Sequence, residues 1–157
     1  MESKEYDSYV CVESLDGDAF RALIREVSQI AHFIGFTRRD ESDGPVETQM
    51  LLEDLAPHLD SIERVGIWPG SELAFGATRP RYLYYVNDLS VSAILAASDD
   101  FLDWDGVELP DDLHFLRSDG STVLGSIAHE EDVWLELNKF EYAEWLAMNN
   151  MTLERES

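Results

Sequence analysis

The 157-residue chain has one cysteine, Cys11, so it cannot form an intrachain disulfide, and a reducing, intracellular compartment is the expectation. It has two lysines, Lys4 and Lys139, and nine arginines against thirty-three acidic residues, a formal net charge of -22. Nucleic-acid affinity rests largely on Lys and Arg neutralising phosphates, so a chain without a basic stripe should bind neither DNA nor RNA. Anionic membranes are excluded on the same charge argument. No stretch approaches the roughly 18 consecutive apolar residues of a spanning helix. The amino terminus, MESKEYDSYV, has no basic n-region and no apolar h-region of a secretory signal. A soluble, cytoplasmic protein is expected. Also missing are a phosphate-binding glycine loop, a Ser-centred elbow and any internal repeat or low-complexity linker.

What is present is the composition of a folded protein. Hydrophobic residues make up 45% and aromatic residues 11%, more apolar and aromatic content than disordered acidic tails carry. The length suits one domain spanning 1–157. Tyr6 to Val12 reads as a first strand. Asp16-Gly17-Asp18 supplies turn chemistry for a helix from Ala19 to Ile34. Its apolar stripe is Phe20, Leu23, Ile24, Val27, Ala31 and Ile34, with Gly35 as the glycine just past its end. A second helix spans 46–55 and Pro57 stops it. Segments 62–68, 73–78 and 81–86 read as strands, and Asp88 or Ser90 caps a helix through Ala97. Strands at 113–117, 123–128 and 133–137 and a helix at 139–149 complete the pattern, with Asp119-Gly120 as a hairpin turn. This predicts an α+β fold, a mainly antiparallel sheet with three to four helices. The expected core is Phe20, Leu23, Ile24, Val27, Leu83, Tyr85, Phe115 and Ile127.

The motifs that could carry chemistry are incomplete. His129-Glu130 lacks the second histidine of a zincin helix, since Val133 stands at that position. Asp103-x-Asp105-Gly-x-Glu108 lacks the third early ligand and the position-12 glutamate of a calcium loop. Cys11 reads as a core residue of a strand. His32, His58 and His114 sit in dissimilar segments. No catalytic residue, metal or cofactor is assigned.

The acids fall in three groups. Asp40 to Asp60 holds seven and no base, and Tyr82 to Leu116 holds eight and no base. Glu130 to Glu144 holds six, broken only by Lys139. Their convergence on one face would present spaced carboxylates to a basic groove. The middle group mixes acids with apolar residues. Asp99, Asp100, Phe101, Asp103, Trp104, Asp105, Glu108, Asp111 and Asp112 form the expected partner site, with Trp104 as an aromatic anchor inside an acidic rim. In the last helix, Phe140, Ala143, Leu146 and Ala147 form the expected core stripe. Tyr142, Trp145 and Met148 lie off that stripe, and a homodimer through this helix is a further expectation.

Several segments of the second half resemble small uncharacterised bacterial proteins, many from actinobacteria. These are Trp68-Pro69-Gly70-Ser71-Glu72, Leu109 to Arg117, Asp119-Gly120 and Ala128-His129-Glu130 with Asp132 and Trp134. In general look the chain is similar to the small acidic immunity proteins of bacterial toxin systems. That resemblance implies a non-catalytic inhibitor and assigns no site residue. Together with the charge it predicts a binding protein that neutralises or regulates a basic protein partner. The alternatives are a nucleic-acid mimic that inhibits a DNA-binding protein, and a non-catalytic acidic domain from a salt-adapted or GC-rich host.

Overall fold

A computed structural model describes residues 5–11, 14–39, 44–148 and 152–156. In chain order the elements are β1 (Asp7–Cys11), α1 (Asp18–Ile30), β2 (Phe33–Thr37), α2 (Val46–Leu55), β3 (Leu59–Val65), β4 (Ile67–Trp68) and β5 (Ser71–Glu72). They continue with β6 (Arg79–Tyr85), α3 (Asp88–Ala97), β7 (Asp111–Leu116), β8 (Thr122–Ile127), β9 (Asp132–Leu137), α4 (Lys139–Met148) and β10 (Leu153–Arg155). Eight strands form one sheet in the order β10-β1-β9-β8-β7-β2-β6-β3, while β4 and β5 pair apart from it. Every neighbouring pair is antiparallel. The fold is α+β. Among the described residues no helix is long and apolar enough to cross a membrane.

Strand periodicity divides the sheet into two faces. Ile34 and Phe36 of β2 pair with Tyr84 and Tyr82 of β6, and Ile34 pairs with Phe115 of β7. These side chains join Phe20, Leu23, Ile24 and Val27 of α1, Leu51 and Leu55 of α2 and Ile94 of α3 in one buried cluster. On the other face Gly35 opposes Leu83 and His114. The Trp134 ring lies against Gly125 and Gly70. Leu83 and Ile127 are buried there too, so seven of the eight expected core residues are buried. Tyr85 is not: it is 43% exposed, because it shares the strand face of Leu83 rather than that of Tyr82 and Tyr84, and its hydroxyl donates to Asp60 at 2.6 Å.

The largest departure from the sequence-based expectation is β2. The helix predicted to run to Ile34 stops at Ile30, where Ala31 turns extended (φ -75°, ψ 152°). Ile34 continues the helical spacing of Val27 and Ala31, which masks the switch to period two. Phe33-Ile34-Gly35-Phe36-Thr37 is instead a central strand. Gly35 is therefore no helix cap. It is a close-approach position, where a Cβ would lie 2.4 Å from His114 Nε2 and 2.9 Å from Leu83 Cδ2. The strand expected at 73–78 is also replaced, by a single turn at Ala74–Gly76, and the one expected at 62–68 divides at Gly66 between β3 and β4. Arg79-Pro80 lies inside β6 and does not precede it.

Helix ends follow side-chain chemistry. Asn87, not Asp88 or Ser90, caps α3: its Oδ1 accepts from the N–H groups of Leu89 and Ser90, and Ser90 Oγ accepts from the Asn87 N–H. The orientation of α4 is the reverse of that expected. Trp145 is 3% exposed and Tyr142 stacks on Tyr9 of β1 with ring centroids 4.5 Å apart. Phe140, at 83% exposure, and Leu146 face outward. The exposed apolar residues of α4 are thus Phe140 and Leu146, not Tyr142 and Trp145, and the Met148 side chain lies outside the described residues.

Overpacking a filled core position costs roughly 1–3 kcal/mol. Gly35→Ala should lower the urea midpoint by that equivalent, because its Cβ meets the His114 ring between two paired strands. An unchanged midpoint would show that the ring moves aside freely and that Gly35 is not a packing constraint.

Candidate functional site

The 98–112 segment lies at the meeting point of the acidic groups, but its side chains divide into two populations. Phe101 and Trp104 point inward. Trp104 is 0% exposed and packs 6.0 Å from the Phe36 ring; Phe101 meets Phe20 edge-on at 4.7 Å. Neither can serve as a surface anchor, which corrects that expectation: the loop needs apolar pins into the core to hold a run of acids in place. Asp111 and Asp112 are also buried, because β7 begins at Asp111 and not at Leu113.

Much of the loop acidity is committed internally. Asp99 Oδ2 takes a hydrogen bond from Arg21 at 3.3 Å. Asp100 Oδ1 accepts from the Leu102 N–H at 2.9 Å, Asp103 Oδ2 accepts from Ser98 Oγ at 2.7 Å, and Asp105 Oδ1 accepts from the Val107 N–H at 3.0 Å. These bonds shape the loop as short Asx-type turns. Outward remain Asp99, Asp103 and Glu108 together with Leu102 and Val107, while Asp100 and Asp105 are half-buried. Apolar contact surface on this loop therefore comes from Leu102 and Val107, not from Trp104.

Of the depressions around the loop, two have no basic lining; a third, smaller one beside Gly106 and Pro110 is lined by Arg38 and Arg39. On one side a cleft of about 420 Å³ is lined by Asp16, Asp100, Glu131 and Asp132 around Val10, Cys11, Leu15, Leu102 and Val133. Here the middle acidic group meets the third. On the other side a groove of about 170 Å³ lies between α2 and α3, lined by Glu47, Met50, Leu51, Asp54, Ala93, Ala96, Ala97 and Leu109. Thr48 Oγ1 donates to the Glu108 carbonyl at 2.7 Å and ties α2 to the loop. The middle acidic group thus meets the first. Asp40, Glu41 and Asp43 of that group lie outside the described residues. Neither the cleft nor the groove is lined by a basic side chain.

A polar cluster that no sequence motif announced sits at the start of β7. Arg39 Nε donates to Asp111 Oδ2 at 3.0 Å and Arg79 Nη1 lies 3.6 Å from the same oxygen. The Asp112 carboxylate accepts from Trp68 Nε1 at 3.0 Å and from the Ala128 N–H at 3.3 Å. Asp112 has a left-handed backbone (φ 60°), a conformation a non-glycine residue adopts only where the surroundings hold it. Burial raises its carboxyl above the ordinary value; the Trp68 bond opposes that shift and the neighbouring Asp111 charge adds to it. The cluster lines a cavity of about 300 Å³ that also meets Glu72, His129 and Glu130. Arg38-Arg39 and Arg79/Arg81 are remote in sequence, and the pairing of β2 with β6 is what brings them together. Among the described residues no group of three His, Cys, Asp or Glu side chains is placed to hold a metal ion.

His114 is fully buried beside this cluster. Its Nδ1 lies 2.8 Å from the Asp112 carbonyl, which assigns the proton to Nδ1, and Nε2 has no hydrogen-bond partner among the described residues. Burial pushes the imidazole down to about 4 from 6.5. A folded value below the unfolded one gives stability that is complete above about pH 6.5 and is lost as pH falls toward 4. His114→Gln should therefore reduce the stability lost between pH 6.5 and 5 by about 2 kcal/mol relative to wild type, measured by urea unfolding at both pH values. An identical pH dependence in the two proteins would show that His114 titrates normally in the fold.

The inward side chains of the loop give a second expectation. Trp104→Ala should cost about 3–5 kcal/mol, as for other buried aromatics. Leu102→Ala, exposed on the same loop, should stay within about 0.5 kcal/mol of wild type. Equal effects in thermal or urea unfolding would contradict this division of the loop. Comparison with known proteins finds no matching family model, and no significant match among the curated proteins or the solved structures.

Proposed function

We propose that this protein is an acidic binding protein that captures a basic protein partner and neutralises or regulates it, as the immunity protein of a toxin would. One observation carries the reading. Three acidic segments distant in sequence meet around the 98–112 loop, and two of the depressions beside it are lined by carboxylates and apolar side chains without a base, while Arg38, Arg39 and Arg79 gather where the loop enters β7. Carboxylates around an apolar floor suit a cationic partner that also has apolar side chains to bury. They suit a basic protein better than a mimic of evenly spaced phosphates. Long-range attraction to a -22 chain would speed encounter, and the apolar floor would slow dissociation.

The test separates a site from diffuse attraction. A synthetic peptide of arginine and leucine is the probe, followed by stopped-flow fluorescence at low and physiological salt. Asp16→Asn with Asp132→Asn removes two carboxylates from the cleft. Asp60→Asn with Glu63→Gln removes two exposed acids of β3, at the opposite edge of the sheet from β1. The cleft pair should slow association and weaken binding roughly tenfold, and the control pair by less than about twofold. Equal losses in the two double variants would mean that only net charge matters, and the site would be withdrawn.

A further inference from the structure

We infer that the groove between α2 and α3 receives a short amphipathic α-helix of the partner, its apolar face down and its basic residues against the groove rim. The inference rests on the basic-partner reading and adds the shape of what is bound. Both walls are helices, and the lining residues run from Glu47 to Asp54 on α2 and from Ala93 to Ala97 on α3, so the longer wall runs about 10 Å, room for about two turns of a docked helix. The α3 wall presents Ala93, Ala96 and Ala97, with the exposed Leu89 one turn before Ala93 on the same helix. Alanines at the groove let a third backbone approach closely, since interaxial distance is set by side-chain size at the contact. The α2 wall presents Met50, 60% exposed, and Leu51, with the exposed Val46 one turn before Met50 on the same helix. Methionine adapts its shape to an incoming side chain, as promiscuous helix-binding surfaces exploit.

Charge selects the occupant. Glu47 and Asp54 stand one turn either side of Met50 or Leu51 and line the same groove, and no Lys or Arg does. Asp88 and Glu53, on the same two helices, are exposed as well. A second copy of this chain would bring another -22 to this rim, and an acidic helix would be repelled likewise. A helix with leucine-like residues at i, i+3, i+4 and i+7 and arginine or lysine on its flanks satisfies both floor and rim.

The probe is a peptide of about fifteen residues, long enough to form a helix on contact, built from leucine and arginine with the leucines on one helical face. Its partner is a scramble of identical composition that has no such face. Fluorescence anisotropy should show the amphipathic peptide binding roughly tenfold tighter than the scramble, with circular dichroism reporting helix gained on binding. Ala96→Trp, at an exposed position that leaves the core untouched, should fill the groove and bring the amphipathic peptide down to the affinity of the scramble. Met50→Ser should reduce the difference in the same direction. Equal binding of both peptides by the wild-type protein would overturn the docked helix while leaving the basic-partner reading in place. Failure of both to bind at low salt would overturn that reading and this inference together. A tenfold preference that survives Ala96→Trp and Met50→Ser would place the helix site elsewhere and overturn the assignment to this groove.

Discussion

The structure depends on how eleven basic residues are spent among thirty-three acids. The central strand β7 is held at both ends by arginine. At its start Arg39 and Arg79 close on Asp111. Just past its end Arg117, nearly buried, donates to both oxygens of Glu141 at 3.1 and 2.6 Å and to the carbonyls of Thr122 and Glu136. Its guanidinium also lies 4.0 Å from the Tyr6 ring. One side chain thereby joins β7, β8, β9 and α4. Arginine suits this role because its planar fork satisfies several acceptors at once and stays charged when buried. Lysine could not replace it without leaving acceptors unpaired, which agrees with the scarcity of lysine in the chain.

Spending the bases inside the fold has an external consequence. Arg38 is buried, Arg21 is drawn onto Asp18 and Asp99, and Arg155 onto Asp7. Cations that would otherwise dilute the surface field are used to fix strands and loops. Arg25, Arg64 and Arg155 remain exposed, so the sign of the surface is set by the excess of acids. That surface is also patterned: the acids of the 98–112 loop are held by turn bonds in fixed places, and two of the depressions beside it contain carboxylates and no base. A protein that needed acidity only for solubility would have no reason to gather it around apolar floors. That contrast is what raises the binding reading above host adaptation.

Local sequence pattern announced most elements. The stripe Phe20, Leu23, Ile24, Val27 and the helix from Val46 to Leu55 lie where spacing placed them, because an amphipathic period survives any tertiary arrangement. β2 was hidden because Ile34 satisfies both periods at once, and only the β-prone run from Phe33 to Thr37 signalled a strand. The face of α4 was misassigned because Phe140, Leu146 and the alanines share a helical stripe as good as that of Tyr142 and Trp145. Which stripe is buried depends on Tyr9 and Arg117, contacts that come from other segments. For the site, the sequence showed where acids concentrate but not which way their neighbours point. Trp104 looks like an anchor by type and is a pin by position.

The same logic explains why the loop and the groove belong together. Leu109 lines the groove floor while Trp104, five residues earlier, fills the core beside Phe36. The Thr48 hydroxyl bond to the Glu108 carbonyl fixes the distance between loop and α2. A shift of α2 therefore has to move Leu109 or break that bond, and a shift of Leu109 pulls on the buried tryptophan. Preorganisation of this kind lowers the ordering cost of association. An acidic surface on a mobile loop would attract a basic partner as strongly at long range, but it would have to be ordered at the moment of contact. Here the ordering is already done in folding, by Trp104 and Phe101 in the core and by the turn bonds of Asp100, Asp103 and Asp105. On the proposed reading the buried aromatics of the loop would contribute to recognition without touching the partner: they hold the carboxylates and the groove wall in one arrangement.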